Sequence, residues 1–497
     1  MGIIERQTIK GSILSYIGVG LGFLTVGILW PRFMEPEEIG LINFIFAISM
    51  ILAQGASLGI NGISVRLFPE FRDKQSKHHG YLALGLLVLA VGACLVMLYY
   101  FLFKARIIDN NAEKSDLIAS YVYFIVPFTI VTMLFNFFEG LHRVMYNAVI
   151  GVFLKEFVFR VLNLILIVLF AWTAFSFELF LNVYFIIFSV PALVLIIALA
   201  RLQQFNLRPD FRFINRGLGR NIVSVGFFSL ISGMGTIAIS SIDKIMINHF
   251  IDLEATGIYS IAFLFGTIVT LPSRPLVRIA STLVAEAWKR NDIRTIKTIY
   301  IKSSLNQFIF AGGIFLLLWL NVDFVLHIIG EEYAAGKWVI LFMSLSGLVT
   351  MATGLNGIII TSSKYYRYQS LFVTILLLAV VITNIVFIPL WGITGAAVAS
   401  LSATVLFNLA RIIFIYVKFK MLPFNYKFLI IVAAILITLL AGYFLQDISK
   451  VLFRILLICI SILVLYLFPI LFLKLSVDIN NGLSNTYEMI RAWLRKK

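Results

Sequence analysis

Phe33-Met34-Glu35-Pro36-Glu37-Glu38-Ile39-Gly40-Leu41 and Phe250-Ile251-Asp252-Leu253-Glu254-Ala255-Thr256-Gly257-Ile258 share one pattern, Phe-x-acid-x-Glu-x-x-Gly-aliphatic. Each copy closes one long apolar segment and opens another. Working outward from both, apolar runs recur to the two ends of the chain, each long enough to cross a hydrocarbon core of roughly 30 Å. The spans read at 11–31, 38–65, 81–103, 117–138, 147–173, 179–200, 221–248, 256–285, 303–325, 336–360, 368–388, 393–417, 427–446 and 451–473. Composition agrees: 61% of the 497 residues are hydrophobic and 13% charged, where a soluble chain carries about a quarter charged residues. The reading is an all-α polytopic membrane protein of about fourteen transmembrane helices, with no interval long enough for a soluble domain.

Loop charge gives an orientation. The face that holds Met1 carries Arg66, Arg72, Lys74 and Lys77, then Arg201 to Arg220, Lys289 to Lys302 and the terminal Arg491, Arg495, Lys496 and Lys497. In all it holds 27 of the 40 Lys and Arg residues, and the opposite loops hold six. Those opposite loops are short and acidic, with Glu35, Glu37, Glu38, Asp252, Glu254, Glu331 and Glu332 among them. By the positive-inside rule the Met1 face is cytoplasmic and both ends of the chain lie on it. The formal charge of +16 therefore reports topology, and no nucleic-acid stripe is expected. The first apolar segment is of spanning length without a small-residue cleavage site, so no cleavable signal peptide is expected.

Six spans separate the two repeat copies, an even number, so the repeats run parallel. Two six-helix bundles related by a pseudo-two-fold along the membrane normal follow, a pattern found in transporters whose site lies between the halves. The expected organisation is a first bundle at 1–204, a linker at 205–220, a second bundle at 221–420, two added helices at 421–474 and a basic tail at 475–497. In the tail, Leu483, Tyr487, Ile490 and Leu494 fall on one helical face, as in an interfacial amphipathic helix, and a frayed basic tail is the equal alternative.

Ionisable residues inside spans are rare and usually face an interior or an aqueous cavity. Here they are Lys155, Glu156, Arg160, Asp243, Lys244, Arg274, Arg278, Arg411 and Arg454. Lys244, Arg411 and Arg454 lie near span ends and are expected to snorkel. Arg160 and Arg274 are too central for that. Glu156 stands four residues before Arg160, as a helical ion pair would. Arg274 and Arg278 share a face between Pro272 and Pro275 without an acid at helical spacing, which suits an anion-accepting groove. The substrate-binding cations are thus taken as Arg274, Arg278, Arg160 and Lys155, with Asp243 and Glu156 as coupling or ion-pair residues. Gln54, Asn306 and Gln307 are read as amides bonding between helices.

Enzyme signatures are missing from the sequence: there is no His-Glu-x-x-His, no paired-cysteine metal spacing and no Walker A loop. No catalytic residue, metal, nucleotide or cofactor is expected. Cys94 and Cys459 read as buried thiols without a disulfide, and His78-His79 as a solvated loop pair. Most of the aromatic residues, 14% of the chain, are expected to face lipid.

Arg66-Leu67-Phe68-Pro69-Glu70 after the second span, Asp243 late in the seventh, and Pro389 followed by Gly392-Ile393-Thr394-Gly395-Ala396-Ala397 give the chain a family likeness. With a six-plus-six-plus-two arrangement, it resembles the multidrug/oligosaccharidyl-lipid/polysaccharide (MOP) exporter superfamily, in its O-antigen (Wzx-type) polysaccharide-flippase branch. The resemblance implies a MATE-like, V-shaped pair of bundles working by alternating access, with spans 1, 2, 7 and 8 lining the cavity. It also implies an undecaprenyl-pyrophosphate-linked oligosaccharide as cargo, carried from the inner to the outer leaflet of the bacterial inner membrane for O-antigen, capsule or exopolysaccharide synthesis. A polymerase of the same pathway is an expected partner, beside membrane lipid. Two alternatives share the fold: a peptidoglycan-precursor flippase and a cation-coupled multidrug antiporter, the latter needing more cavity carboxylates than Glu156 and Asp243 supply. A polymerase or ligase would need a long loop on the acidic face, which the sequence lacks.

Overall fold

Both copies of the repeat begin a helix on an acidic cap. Glu35 caps the first: its carboxylate accepts from the helix start, and its own N–H donates to Glu38 Oε2 at 3.0 Å, with Pro36 at the first helical position. At the second copy Asp252 Oδ1 accepts from the Ala255 N–H at 2.7 Å. A carboxylate there satisfies N–H groups that the helix leaves open and meets the positive end of its dipole. The acid of the repeat is therefore a cap, and its glycine does a different job.

The computed structural model describes residues 14–73, 75–111, 114–145, 148–173, 175–201, 206–482 and 484. The side chains of Ala148, Arg274, Pro275, Arg278 and Ile279 lie outside the description, as does the tail face from Leu483 to Leu494 apart from Ser484. The described secondary structure is helical throughout. In chain order the helices are α1 (Leu14–Phe33), α2 (Pro36–Phe71), α3 (Tyr81–Asp109), α4 (Asp116–Val144), α5 (148–172), α6 (Phe177–Arg201), α7 (Arg216–Phe250) and α8 (Leu253–Thr270). Then come α9 (Ser273–Lys289), α10 (Ile293–Leu320), α11 (Val322–Ile329), α12 (Lys337–Thr353), α13 (Asn356–Ser362), α14 (Arg367–Phe419), α15 (Tyr426–Phe444) and α16 (Val451–Phe472).

Among the described residues, twelve helices are long and apolar enough to cross a membrane. The expectation of about fourteen differs for two physical reasons. The 53-residue α14 joins two expected spans across a break at Trp391-Gly392, where the backbone leaves helical geometry. The α5 segment carries Lys155, Glu156 and Arg160 within one short stretch, which lowers its apolar content. The eighth expected span divides at Leu271-Pro272 into α8 and α9, and the tenth divides at Gly354 into α12 and α13.

The chain forms two compact units, Met1–Ile261 and Ala262–Lys497. In the first, an aromatic cluster packs around Phe128, Tyr184 and Phe188, with Phe46 lying 4.8 Å from Phe128 and Trp30 5.7 Å from Tyr184 between ring centroids. In the second, Tyr466 lies fully buried among α10, α15 and α16 and donates to the Ile309 carbonyl at 2.6 Å. Aromatic side chains fall on both sides of the packing: among the described residues Phe128, Tyr184 and Tyr466 are buried, while Phe101, Trp172 and Phe472 are exposed. Ring edges and faces pack closely where aliphatic chains leave gaps, and lipid offers no such geometry.

Two smaller expectations also change. Cys94 is exposed, on the face of α3 that also presents Leu87, Val91 and Leu98; an apolar surround of lipid gives a thiol no reason to turn inward. His78 is buried, and His79 stacks on Phe213 with centroids 3.8 Å apart, facing Asp73 and Asp210. Hydrogen bonds from Ser76 and Gln75 hold the Asp73 carboxyl below the usual carboxylate range, so the pair is packed against an anionic rim rather than solvated.

Candidate functional site

The first unit is organised by the seam between α2 and α7–α8. Gly40 lies against the Leu253 carbonyl, and Gly257 lies against the Pro36 carbonyl. In the repeat these are equivalent positions, so the contact is reciprocal: each glycine receives the backbone of the other copy where a Cβ would collide. Small residues let helix backbones approach in this way in a membrane, where close packing replaces the hydrophobic drive. Further along, α7 presents Gly233 to Gln54 and Ser229 to Gly62.

This close approach places Asp243. The residue is 3% exposed, and the Tyr259 hydroxyl of α8 donates to its Oδ2 at 2.7 Å. The adjacent Lys244 crosses to α2 and donates to Asn43 Oδ1 at 2.7 Å. Lys244 therefore does not snorkel; the amide of α2 holds it inside. One turn on, Asn248 donates to Asn111, in the turn after α3, at 2.9 Å. Here a cavity of about 230 Å³ is lined by Phe44, Ile48, Tyr99, Asn111, Asn248 and His249. An acid, a phenol, an ammonium and an amide thus share one seam, able to hold a proton or a monovalent cation through the carboxylate.

The second cluster joins α1 and α5. Arg160 Nη2 pairs with Glu156 Oε2 at 2.7 Å, and Nη1 donates to the Gly18 carbonyl at 2.7 Å. The guanidinium lies over Gly22, whose missing Cβ leaves its place. Glu156 sits in a π-helical turn, Leu154–Val158, which widens α5 just before Arg160. Among the described residues, Nη1 makes the hydrogen bond, to Gly18, while the Nη2–Glu156 contact is an ion pair without hydrogen-bond geometry, and the Arg160 side chain is 26% exposed. The arrangement fixes a cation in a membrane helix while leaving donors for a second anion.

Of the residues expected to act, Glu156 and Arg160 come together, and Asp243 joins Lys244. Lys155 is exposed and sits over the Phe135 ring at 5.7 Å. Arg274 and Arg278 lie on α9, one turn apart, with their side chains outside the description. Sequence reasoning missed Tyr259, Asn43 and the Gly18–Gly22 pair. The glycine pair had a signal, its spacing of four on an apolar helix; Asn43 and Tyr259 had none beyond their closeness to the repeat glycines.

Arg411 departs most from expectation. Rather than reaching an interface, it turns inward in the second unit: its Cζ lies 3.7 Å from the centroid of the Phe407 ring, and Nη1 donates to Asn356 Oδ1 at 3.4 Å. Asn356 also donates to Asn408, as does Thr353, at 2.9 and 2.8 Å. The break between α12 and α13 exposes polar groups at this depth, and they draw the guanidinium in. Arg454, by contrast, bonds the Gln446 carbonyl at the end of its helix, as a snorkelling residue would.

Comparison with known proteins adds to this geometry. The family model described as "Polysaccharide biosynthesis protein" matches residues 6–284. A curated relative, the teichuronic acid biosynthesis protein TuaB of Bacillus subtilis, is 26% identical over 151 residues, 30% of this chain and 31% of that protein. The chain thus spans about a third of that relative's length. Among solved structures, the lipid II flippase MurJ in an inward closed conformation superposes with a TM-score of 0.73 at 15% identity, covering 94% of this chain and 99% of MurJ. An inward-facing MATE-family multidrug resistance transporter of the MOP superfamily gives 0.63 at 14% identity, covering 81% and 94%. At these identities the likeness shows the fold alone, a multi-pass helical membrane protein.

Proposed function

Because this chain belongs to the polysaccharide biosynthesis protein family, a transporter family of the MOP superfamily, we propose that it flips a lipid-linked oligosaccharide. The cargo is an undecaprenyl-pyrophosphate-linked glycan, carried from the cytoplasmic to the outer leaflet of the inner membrane for O-antigen, capsule or exopolysaccharide synthesis. The basic face is the cytoplasmic one. The bundles at 1–204 and 221–420, joined by 205–220, alternate in access, with the helices at 421–474 added.

The observation that carries this reading is Arg160: a guanidinium inside a membrane helix, held among the described residues by an ion pair to one carboxylate and a hydrogen bond to one carbonyl, with donors left over. A diphosphate headgroup leaving water needs compensating charge and directed donors, and a guanidinium fork supplies both. Glu156 fixes the fork and tempers its charge, so that binding remains reversible. Arg274, Arg278 and Lys155 complete the cation set. Asp243, buried beside Lys244, is the coupling residue, and no nucleotide takes part. A polymerase of the same pathway consumes the product.

A cation-coupled antiporter is the second reading, favoured by the buried Asp243. The two separate in a deletion strain. A flippase predicts accumulated lipid-linked sugar and lost surface polysaccharide, restored by the wild-type gene and not by Arg160→Ala or Arg274→Ala chains that still insert. Unchanged lipid-linked sugar, with altered sensitivity to cationic drugs, would reverse the choice.

A further inference from the structure

Among the described residues, Arg411 has one hydrogen-bond partner for its five N–H donors, the Asn356 oxygen at 3.4 Å, and no carboxylate. Its Nε is buried without a hydrogen-bond partner. The plane of the guanidinium is clamped. Phe407 covers one face, and on the backbone side a Cβ built at Gly357 would lie 3.3 Å from Nη1 and 3.4 Å from Cζ and Nη2. That clamp leaves the Nε–Nη2 edge, whose two parallel N–H groups match two oxygens of one phosphate.

The surroundings supply further donors. The Tyr300 hydroxyl of α10, fully buried and without a hydrogen-bond partner among the described residues, belongs to the buried cluster that includes Ile359 and Ile360 of α13, the helix whose Gly357 lies against the guanidinium. One turn along α10, the Ser304 hydroxyl is likewise fully buried and unpartnered, against Gly354 at the break between α12 and α13. An unpaired cation in a membrane helix costs at least about 2.5–3.5 kcal/mol, and an unsatisfied buried hydroxyl adds roughly 1–3 kcal/mol. Groups so costly inside a membrane helix point to a function.

From this geometry we infer that Arg411, Tyr300 and Ser304 form a phosphate-binding site inside the second unit, closed in this conformation and opened by movement of the short helix α13. Asn356 and Asn408 hold the wall of the site, because their amides tie α13 to α14. A guanidinium edge and two hydroxyls recognise a phosphate oxyanion from either of two sources, a polyprenyl diphosphate headgroup or a free inorganic ion. The lipid source rests on the proposed function; the anion site does not.

The test uses full-length protein carrying Arg160→Gln, Arg274→Gln and Arg278→Gln, so that other cations do not contribute. Inorganic pyrophosphate is titrated calorimetrically into this protein in nanodiscs. Saturable binding is expected, weakened at least tenfold by Arg411→Gln and about threefold by Tyr300→Phe, and unchanged by Arg454→Gln. Should Arg411→Gln fail to fold, Arg411→Lys, which keeps the charge and loses the fork, is expected to weaken binding several-fold. No saturable binding, or equal binding by the Arg411 variants, overturns the site. Nanodiscs containing undecaprenyl diphosphate then assign the source: displacement of pyrophosphate identifies the lipid headgroup, and displacement by inorganic phosphate alone identifies the free ion. If a deletion strain accumulates no lipid-linked sugar while the titration holds, the flippase reading fails and the anion site stands.

Discussion

Two guanidiniums sit inside the membrane helices of this chain under opposite conditions. Arg160, in the first unit, has a carboxylate at 2.7 Å, a carbonyl at 2.7 Å and a glycine beneath it. Arg411, in the second, has an aromatic face, a distant amide oxygen and a bare Nε. One is an ion pair with donors to spare; the other, among the described residues, is a charge without a carboxylate partner. The contrast teaches that depth in a span does not decide what a cation does. Its partners do, and they come from helices far away in sequence.

Stability should divide along the same line. Arg160→Met leaves Glu156 without its cation, and breaking a buried pair costs about 3–5 kcal/mol. With roughly a quarter of this pair exposed, the loss should fall toward the lower end, read as a lower melting temperature in detergent. The double variant Glu156→Gln/Arg160→Met should recover part of it, because the stranded carboxylate is gone; a double variant no more stable than Arg160→Met would mean the pair is not coupled. Arg411→Met should move the other way. Removing an uncompensated charge relieves its desolvation, offset by a cation–π contact of about 0.5–2 kcal/mol. A net gain on the order of 1 kcal/mol is expected, and a clear loss of stability would show that Arg411 is better paired than the geometry allows. Gly357→Ala should do least. Its Cβ, 3.3–3.4 Å from Nη1, Cζ and Nη2, presses on the guanidinium face, costing less than about 1 kcal/mol by the scale of overpacked sites. It should still weaken anion binding, and unchanged binding would place the guanidinium elsewhere.

The fold was legible because its signals are local. Spanning length, loop charge and the repeat each survive in a short window of sequence. Even the repeat's meaning could be read in part, as a helix junction copied once. Its physical reason could not: the glycines at 40 and 257 meet each other's copy across α2 and α8, a contact that no single window contains. Glu156 and Arg160 were legible for the same reason, being four residues apart on one helix. Arg411 was not. Closeness to a span end suggested snorkelling, whereas the break at Gly354 lets Asn356 reach into the unit and draw the side chain in. His78-His79 followed suit, since Phe213 and Asp210 come from a loop remote in sequence.

In the proposed transport cycle an intramembrane guanidinium receives the diphosphate headgroup. The most direct measurement of that step is flipping in proteoliposomes loaded with a fluorescent undecaprenyl-pyrophosphate-linked oligosaccharide, with outer-leaflet lipid quenched over time. Wild-type protein should deplete the protected pool, and Arg160→Gln, inserted to the same level, should slow that depletion at least tenfold. Equal rates for the two would contradict the account.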